Sequence, residues 1–226
     1  MALPDACLRA IGHVEEHLSE RVTVADLADA AGYSLFHFSR AFARDVRMSP
    51  YTYLVRRRLT RAVADVVGTD RRVLDVAIEH GFESHEGFTR AFARAFGCTP
   101  TEARAAGRVR ATGRLPRLGA EHLACLARHG GLAASGVVDA GPEPGGTCVA
   151  TPLRWPPGGA SSSRPASEPA SWVVFALTGE PDDAATVVEW LVHGWAFAAR
   201  AELALPGVWI VPASAGSPAR AFVPVG

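Results

Sequence analysis

Four arginines stand in two identical pentapeptides, RAFAR at 40–44 and again at 90–94, fifty residues apart. A guanidinium presents its donors in a planar fork that matches a phosphate or the O6/N7 edge of a guanine. The phenylalanines around them (Phe38 and Phe42; Phe88, Phe92 and Phe96) recur every four residues and so mark the buried stripe of a helix. The arginines project elsewhere. Arg40 and Arg90, near the helix starts, are placed for a guanine edge; Arg44 and Arg94, one turn deeper, suit the phosphate backbone. Ser39, Thr89 and His85 are placed to meet base edges and Phe36 a thymine methyl. A lone helical arginine is often only a solvated one; two in-register copies favour nucleic acid.

The elements that must carry these side chains are also written twice. VTVADLADAAGYS (22–34) and RRVLDVAIEHGFES (71–84) align at an offset of 49, pairing Leu27 with Val76, Ala28 with Ala77, Gly32 with Gly81 and Tyr33 with Phe82. One inserted residue then makes the offset 50, at which Phe38 meets Phe88 and Pro50 meets Pro100. Each copy predicts a short helix stopped by glycine, a turn, and a second helix capped by Ser34 or Ser84. That is a helix-turn-helix, whose second helix enters the major groove. Between the copies, SPYTYLVRRRLTRAVADVVG (49–68) predicts a longer helix with Ser49 as N-cap and Pro50 in its first turn. At 1.5 Å per residue it spans about 27 Å, enough to hold two readers on one face of a duplex. Its run Arg56, Arg57, Arg58 fits either phosphate contact or salt bridges, and salt bridges are the preferred reading.

Composition sets the wider frame. Of 226 residues 48% are hydrophobic and 20% charged, which suits a globular chain able to bury cores. No apolar run reaches the eighteen or so residues of a membrane span and no signal-peptide pattern opens the chain, so the expected location is the cytoplasm. The cysteines (Cys7, Cys98, Cys125, Cys148) lack C-x-x-C spacing, and neither metal nor cofactor is expected. The zero net charge divides into 18 Arg against 14 acids up to residue 117 and 5 against 9 beyond it. All five tryptophans (Trp155, Trp172, Trp190, Trp195, Trp209) follow residue 150, whereas seven of ten phenylalanines precede residue 97. Two domains are expected: 1–107 all-helical, 108–117 a Gly/Pro/Arg-rich linker, and 118–226.

GFESHEGFTRAFARAFGCTPTEAR (81–104) resembles the signature of the second helix-turn-helix of the AraC/XylS transcription regulators, and the likeness covers about residues 6–105. It implies a seven-helix DNA-binding domain, double-stranded DNA as a partner and RNA polymerase as a further one. Residues 115–226 more weakly resemble a GyrI-like effector domain, as in Rob-type regulators. The carriers are HLACLARHGG (122–131) and SWVVFALTGEPDDAATVVEWLVHGWAF (171–197), each expected to be a strand followed by a glycine turn, and the closing strand RAFVPV (220–225). This implies an α+β fold with an antiparallel sheet of pseudo-repeated strand-helix-strand units around a cleft for a small hydrophobic effector. The first unit is short of its helix, and Val208 and Trp209 stand where many members place an acid that neutralises cationic drugs. Trp172, Trp195 and Trp209 are the candidate walls of an apolar pocket. WPPGGASSSRPASEPAS (155–171) predicts a mobile loop.

No catalytic residue is expected. His129 has no nucleophile or carboxylate at a telling spacing, and the acids of EPDD (180–183) suit a helix N-terminus. Two alternatives stay open for the second domain: a hydrolase of a reactive small molecule, with Glu189 and Glu202 as its weak candidates, or a degenerate domain kept for protein contact.

Overall fold

The computed structural model describes residues 3–110, 113–128, 134–139, 147–150, 171–177, 187, 191, 196–199, 207–211 and 220–225. The chain divides into two compact units, Met1–Leu123 and Ala124–Gly226.

The first unit is helical. Its elements are α1 (Leu3–Glu16), α2 (Val24–Ala31), α3 (Leu35–Val46), α4 (Pro50–Gly68), α5 (Val73–Glu79), α6 (His85–Phe96) and α7 (Pro100–Ala106). Local chemistry fixes most of their boundaries. Thr23 caps α2 reciprocally with Asp26: the Thr23 N–H donates to Asp26 Oδ2 at 2.7 Å, and the Asp26 N–H donates to Thr23 Oγ1 at 3.3 Å. Thr99 and Glu102 repeat the device at α7. Ser49 accepts from the Thr52 N–H at 3.1 Å, with Pro50 following where a missing N–H costs nothing. Such a cap is worth about 1 kcal/mol. A core of Ile11, Val14, Leu27, Phe38, Phe42, Tyr53 and Leu54 joins α1 to α4.

Two expectations change here. The linker expected over 108–117 includes a strap laid on α4: Leu115 and, just beyond it, Leu118 enter the same core, 2% and 6% exposed. The Leu115 N–H donates to Thr60 Oγ1 at 2.8 Å, and the Leu118 N–H reaches Tyr53 Oη at 3.5 Å. The strand expected within 122–131 is instead helix through Arg128, α8 (Ala120–Arg128). Leu123 and Leu126 fall three residues apart on its buried side, and Leu123 N–H closes the first turn on Gly119 O at 3.2 Å. Short apolar runs fit either period, and a helical register was the one that could bury both leucines.

In the second unit, strands β1 (Ala134–Asp139), β2 (Thr147–Ala150), β3 (Ser171–Ala176), β4 (Gly207–Val211) and β5 (Arg220–Val225) form an antiparallel sheet in the order β1-β3-β5-β4-β2. Val173, Phe175, Ala221 and Val223 share one face by alternation and pairing, and each is at most 7% exposed. Of the helix that the acids of residues 180–183 were expected to open, the described parts are α9 (Phe197–Ala199) and the helical positions Val187, Leu191 and Ala196, which are buried. Trp195, His129, Glu189, Glu202, residues 180–183 and residues 155–170 of the expected loop lie outside the described residues.

Candidate nucleic-acid interface

Both helix-turn-helix copies are built by the same bonds. Gly32 and Gly81 lie at φ 77° and 76°, a left-handed conformation that glycine reaches without the Cβ clash. The Gly32 N–H donates to Asp29 O at 2.9 Å and Tyr33 N–H to Ala28 O at 3.0 Å; Gly81 donates to Ile78 O and Phe82 to Ala77 O, both at 3.0 Å. Ser34 Oγ then accepts from the His37 N–H at 3.4 Å, and Ser84 Oγ from the Gly87 N–H at 3.0 Å. Below each second helix the phenylalanines pack with their rings tilted against one another. Phe38 and Phe42 have ring centroids 5.4 Å apart, Phe88 and Phe92 5.6 Å, and all four are at most 1% exposed. The buried stripe thereby fixes which side chains α3 and α6 turn outward.

On that outward side the repeat supplies paired groups. Arg40, Arg44, Arg90 and Arg94 are exposed, as is His85; Ser39 and Thr89 are half-buried. Phe36 is 72% exposed, and the Arg40 guanidinium carbon lies 5.5 Å from its ring centroid, a cation–π pair that steadies the arginine. Arg44 is held by Asp45 at 2.6 and 3.0 Å, which pushes its guanidinium further above its ordinary range. Arg94 makes no ion pair among the described residues; Ala95 stands where α3 has Asp45. Thr89 departs from expectation. Its hydroxyl is buried without a hydrogen-bond partner, so in this geometry it offers no donor to a base edge. Glu86, exposed in the first turn of α6, went unnoticed in the sequence, although the offset of 50 aligns it with Phe36.

Of the four arginines of α4, Arg61 is exposed, while Arg56, Arg57 and Arg58 face inward, at most 8% exposed, and tie the helix to its surroundings. Arg57 donates from Nε and Nη2 to Glu15 at 2.7 and 2.8 Å, and from Nη1 to Leu115 O. Arg56 reaches Arg114 O at 3.0 Å; Arg58 donates to Leu18 O at 3.0 Å and to Glu20 O. Burial pushes the Arg56 guanidinium down to about 9, still cationic at neutral pH. Arg57 forms a salt bridge, but with Glu15 of α1 and not with a carboxylate of its own helix; Arg56 and Arg58 serve backbone carbonyls. Around the second copy, His80 Nε2 meets Asp65 at 2.7 Å, and Arg104 donates to Val66 O at 2.9 Å and Arg71 O at 2.7 Å. These bonds dock α5 and α7 on the C-terminal end of α4, where the helix's last carbonyls need donors.

The tryptophan positions are known by backbone only. Trp172 lies on β3, opposite Pro224; Trp209 lies on β4, opposite Phe222, which is in turn opposite Val174. Alternation therefore puts positions 172, 174, 209 and 222 on one face of the sheet. Among the described residues no three metal-ligating side chains cluster, and no helix is long and apolar enough to cross a membrane.

Residues 27–106 match the model of the helix-turn-helix domain family. The uncharacterized HTH-type transcriptional regulator YbfP of Bacillus subtilis is 38% identical over 95 residues, which are 42% of this chain and 32% of that protein. The transcriptional activator AarP of Providencia stuartii is 31% identical over 88 residues (39% and 65%), and Rob of Salmonella typhimurium 34% over 87 (38% and 30%). The chain thus spans less than two thirds of each of these relatives. An AraC-type regulator structure from Chromobacterium violaceum superposes on 46% of this chain and 92% of its own, with TM-score 0.42 and 25% identity. The first unit of this chain carries a helix-turn-helix domain, matched over residues 27–106.

Proposed function

We propose that this protein is a sequence-specific transcription regulator that reads double-stranded DNA with α3 and α6 and responds to a small hydrophobic molecule in its second unit. The observation that carries the first part is the duplicated reader. Two helices with matching serine N-caps, buried phenylalanines at matching positions (Phe38 and Phe42, Phe88 and Phe92) and exposed arginines in register give one chain two major-groove probes. Arg40 and Arg90 act on guanine edges, Arg44 and Arg94 on phosphates, and Phe36, Ser39 and His85 on neighbouring bases. RNA polymerase is a further partner in this reading. The effector part is supported by Trp172 and Trp209 falling on one face of the sheet, the arrangement an aromatic-walled, GyrI-like pocket requires. The segment LPGVWIV (205–211) contains no acid, so a neutral guest and its cationic analogue should bind alike, within tenfold or about 1.4 kcal/mol by tryptophan quenching.

Footprinting on base-substituted operators tests the DNA part. Arg40→Ala and Arg90→Ala should each weaken specific binding by about 1–3 kcal/mol and relax the preference at one base pair. Uniform loss across all sequences would make both residues phosphate contacts and remove them from base recognition.

A further inference from the structure

The two recognition helices share a backbone plan but not a first turn. At the offset of 50, Leu35 and Phe36 of α3 correspond to His85 and Glu86 of α6, while Arg40 corresponds to Arg90. Leu35 and Phe36 are 51% and 72% exposed, two large apolar side chains held in water at the start of the helix. They contribute little to the fold there. The apolar group of the major groove is the thymine methyl, and Phe36 carries Arg40 against its ring, so the pair suits a thymine beside a guanine.

Glu86 presents opposite chemistry. The Ser84 hydroxyl is engaged by the Gly87 N–H, and residue 87, where a capping box would need an acid, is glycine, so Glu86 closes no such box. Glu86 and Arg90 stand at the i, i+4 spacing that favours an ion pair, yet neither forms one among the described residues. A carboxylate only accepts. In the major groove cytosine offers an N4 donor, whereas adenine sets its N7 acceptor beside its N6 donor, and guanine and thymine present acceptors. A carboxylate near DNA phosphates also penalises every site that fails to supply its donor, which sharpens discrimination.

We infer that Glu86 is a specificity-determining residue: α6 selects a cytosine beside the guanine read by Arg90, α3 selects a thymine beside the guanine read by Arg40, and the unlike half-sites fix one orientation of the chain on its operator. This rests on the DNA-binding reading above. Selection from a random duplex library, with full-length wild type, Glu86→Gln, Glu86→Ala and Phe36→Ala, tests it. Arg90→Ala identifies the half-site that belongs to α6.

Wild type should enrich a sequence with two different half-sites. Glu86→Gln should move the preference at one pair of the α6 half-site from cytosine toward adenine, which a glutamine amide reads by two bonds. Glu86→Ala should lose at least tenfold discrimination at that pair and leave the α3 half-site unchanged. Deoxyuridine in place of the α3 thymine should weaken wild type several-fold and leave Phe36→Ala unaffected. Glu86 also lies where the helix dipole favours an acid. If both Glu86 variants keep the wild-type base preference and only melt earlier, that is its role and the inference falls. Identical half-sites overturn it too. If wild type enriches no sequence, the DNA-binding reading itself fails.

Discussion

Arg57 decides whether the arginine run of α4 belongs to the fold or to the DNA. Its side chain is 10% exposed and that of Glu15 11%, and the two are joined through Arg57 Nε and Nη2, with Tyr53 Oη 3.3 Å from the same carboxylate. Arg57→Met leaves a buried carboxylate with one neutral donor and strips Leu115 O of its partner. Breaking a buried pair in this way costs about 3–5 kcal/mol. Arg57→Met/Glu15→Leu removes both charges; an unpaired carbonyl and an unpaired phenol cost about 1–3 kcal/mol each, offset by about 1–4 kcal/mol because no ion pair is desolvated, for a net cost of about 1–3 kcal/mol. Urea unfolding followed by helical circular dichroism reads the difference. With a slope of about 2 kcal/mol/M, the single variant should lower the midpoint by about 2 M and the double variant by roughly half as much. The folded double variant then serves the second question. Neutralising a phosphate contact would reduce the slope of log K against log salt by about 0.9; an internal residue should leave it unchanged. A single-variant cost below about 1 kcal/mol, the range of exposed pairs, would refute the buried-anchor account. So would a reduced salt slope.

A fragment ending at residue 123 should unfold cooperatively, whereas one ending at 107 loses Leu115 and Leu118 from the core. At about 1.5–3 kcal/mol per leucine this approaches the whole stability of a small domain, and equal melting of the two fragments would contradict the docked strap. Gly32→Ala should cost about 1–2 kcal/mol of left-handed strain, with nothing within 4 Å of the new Cβ. Gly81→Ala should cost more in thermal melts, because its Cβ would stand 2.8 Å from Arg58 Cζ, whose guanidinium is committed to Leu18 O and Glu20 O. The Asp26 and Glu102 carboxyls are held below their ordinary values, chiefly by the Thr23 and Thr99 backbone N–H groups. Their stabilisation is present above the usual carboxylate range and lost as pH falls through the lowered values. Asp26→Asn and Glu102→Gln, which remove the titrating groups, should therefore flatten the acid limb of stability measured below about pH 4, whereas Thr23→Ala and Thr99→Ala keep the N–H donors and should flatten it only in part.

What could be read in the chain was what local rules encode. Gly32 and Gly81, the serine caps and the four-residue spacing of phenylalanine each fix a backbone angle or a face without reference to distant residues, and together they set the two reader helices in register. Arg56 to Arg58 were harder, because a run of arginines looks the same whether its donors meet water, phosphate or a carbonyl 58 residues away. The strap was hidden for a related reason. Gly113, Arg114, Pro116 and Arg117 give its composition, and the two leucines that anchor it have no periodic neighbours. Thr89 shows the limit of placing a side chain by helix position alone: the residue is half-buried on α6, and its hydroxyl is out of reach of solvent.

The strap also sets an order of events. The bonds within each helix-turn-helix close over a few residues, so those turns can form early and repeatedly. The bonds from Arg56, Arg57 and Thr60 to residues 114 and 115 close loops of 55 to 58 residues, an entropic toll that is met late. During synthesis α4 is complete long before the carbonyls of residues 114 and 115 emerge, and the donors that meet them, Arg56 Nη2 and Arg57 Nη1, wait until then. Substitutions in the strap should accordingly hasten unfolding while leaving the folding rate nearly untouched, so the last segment of the unit to dock governs how long the folded unit lasts.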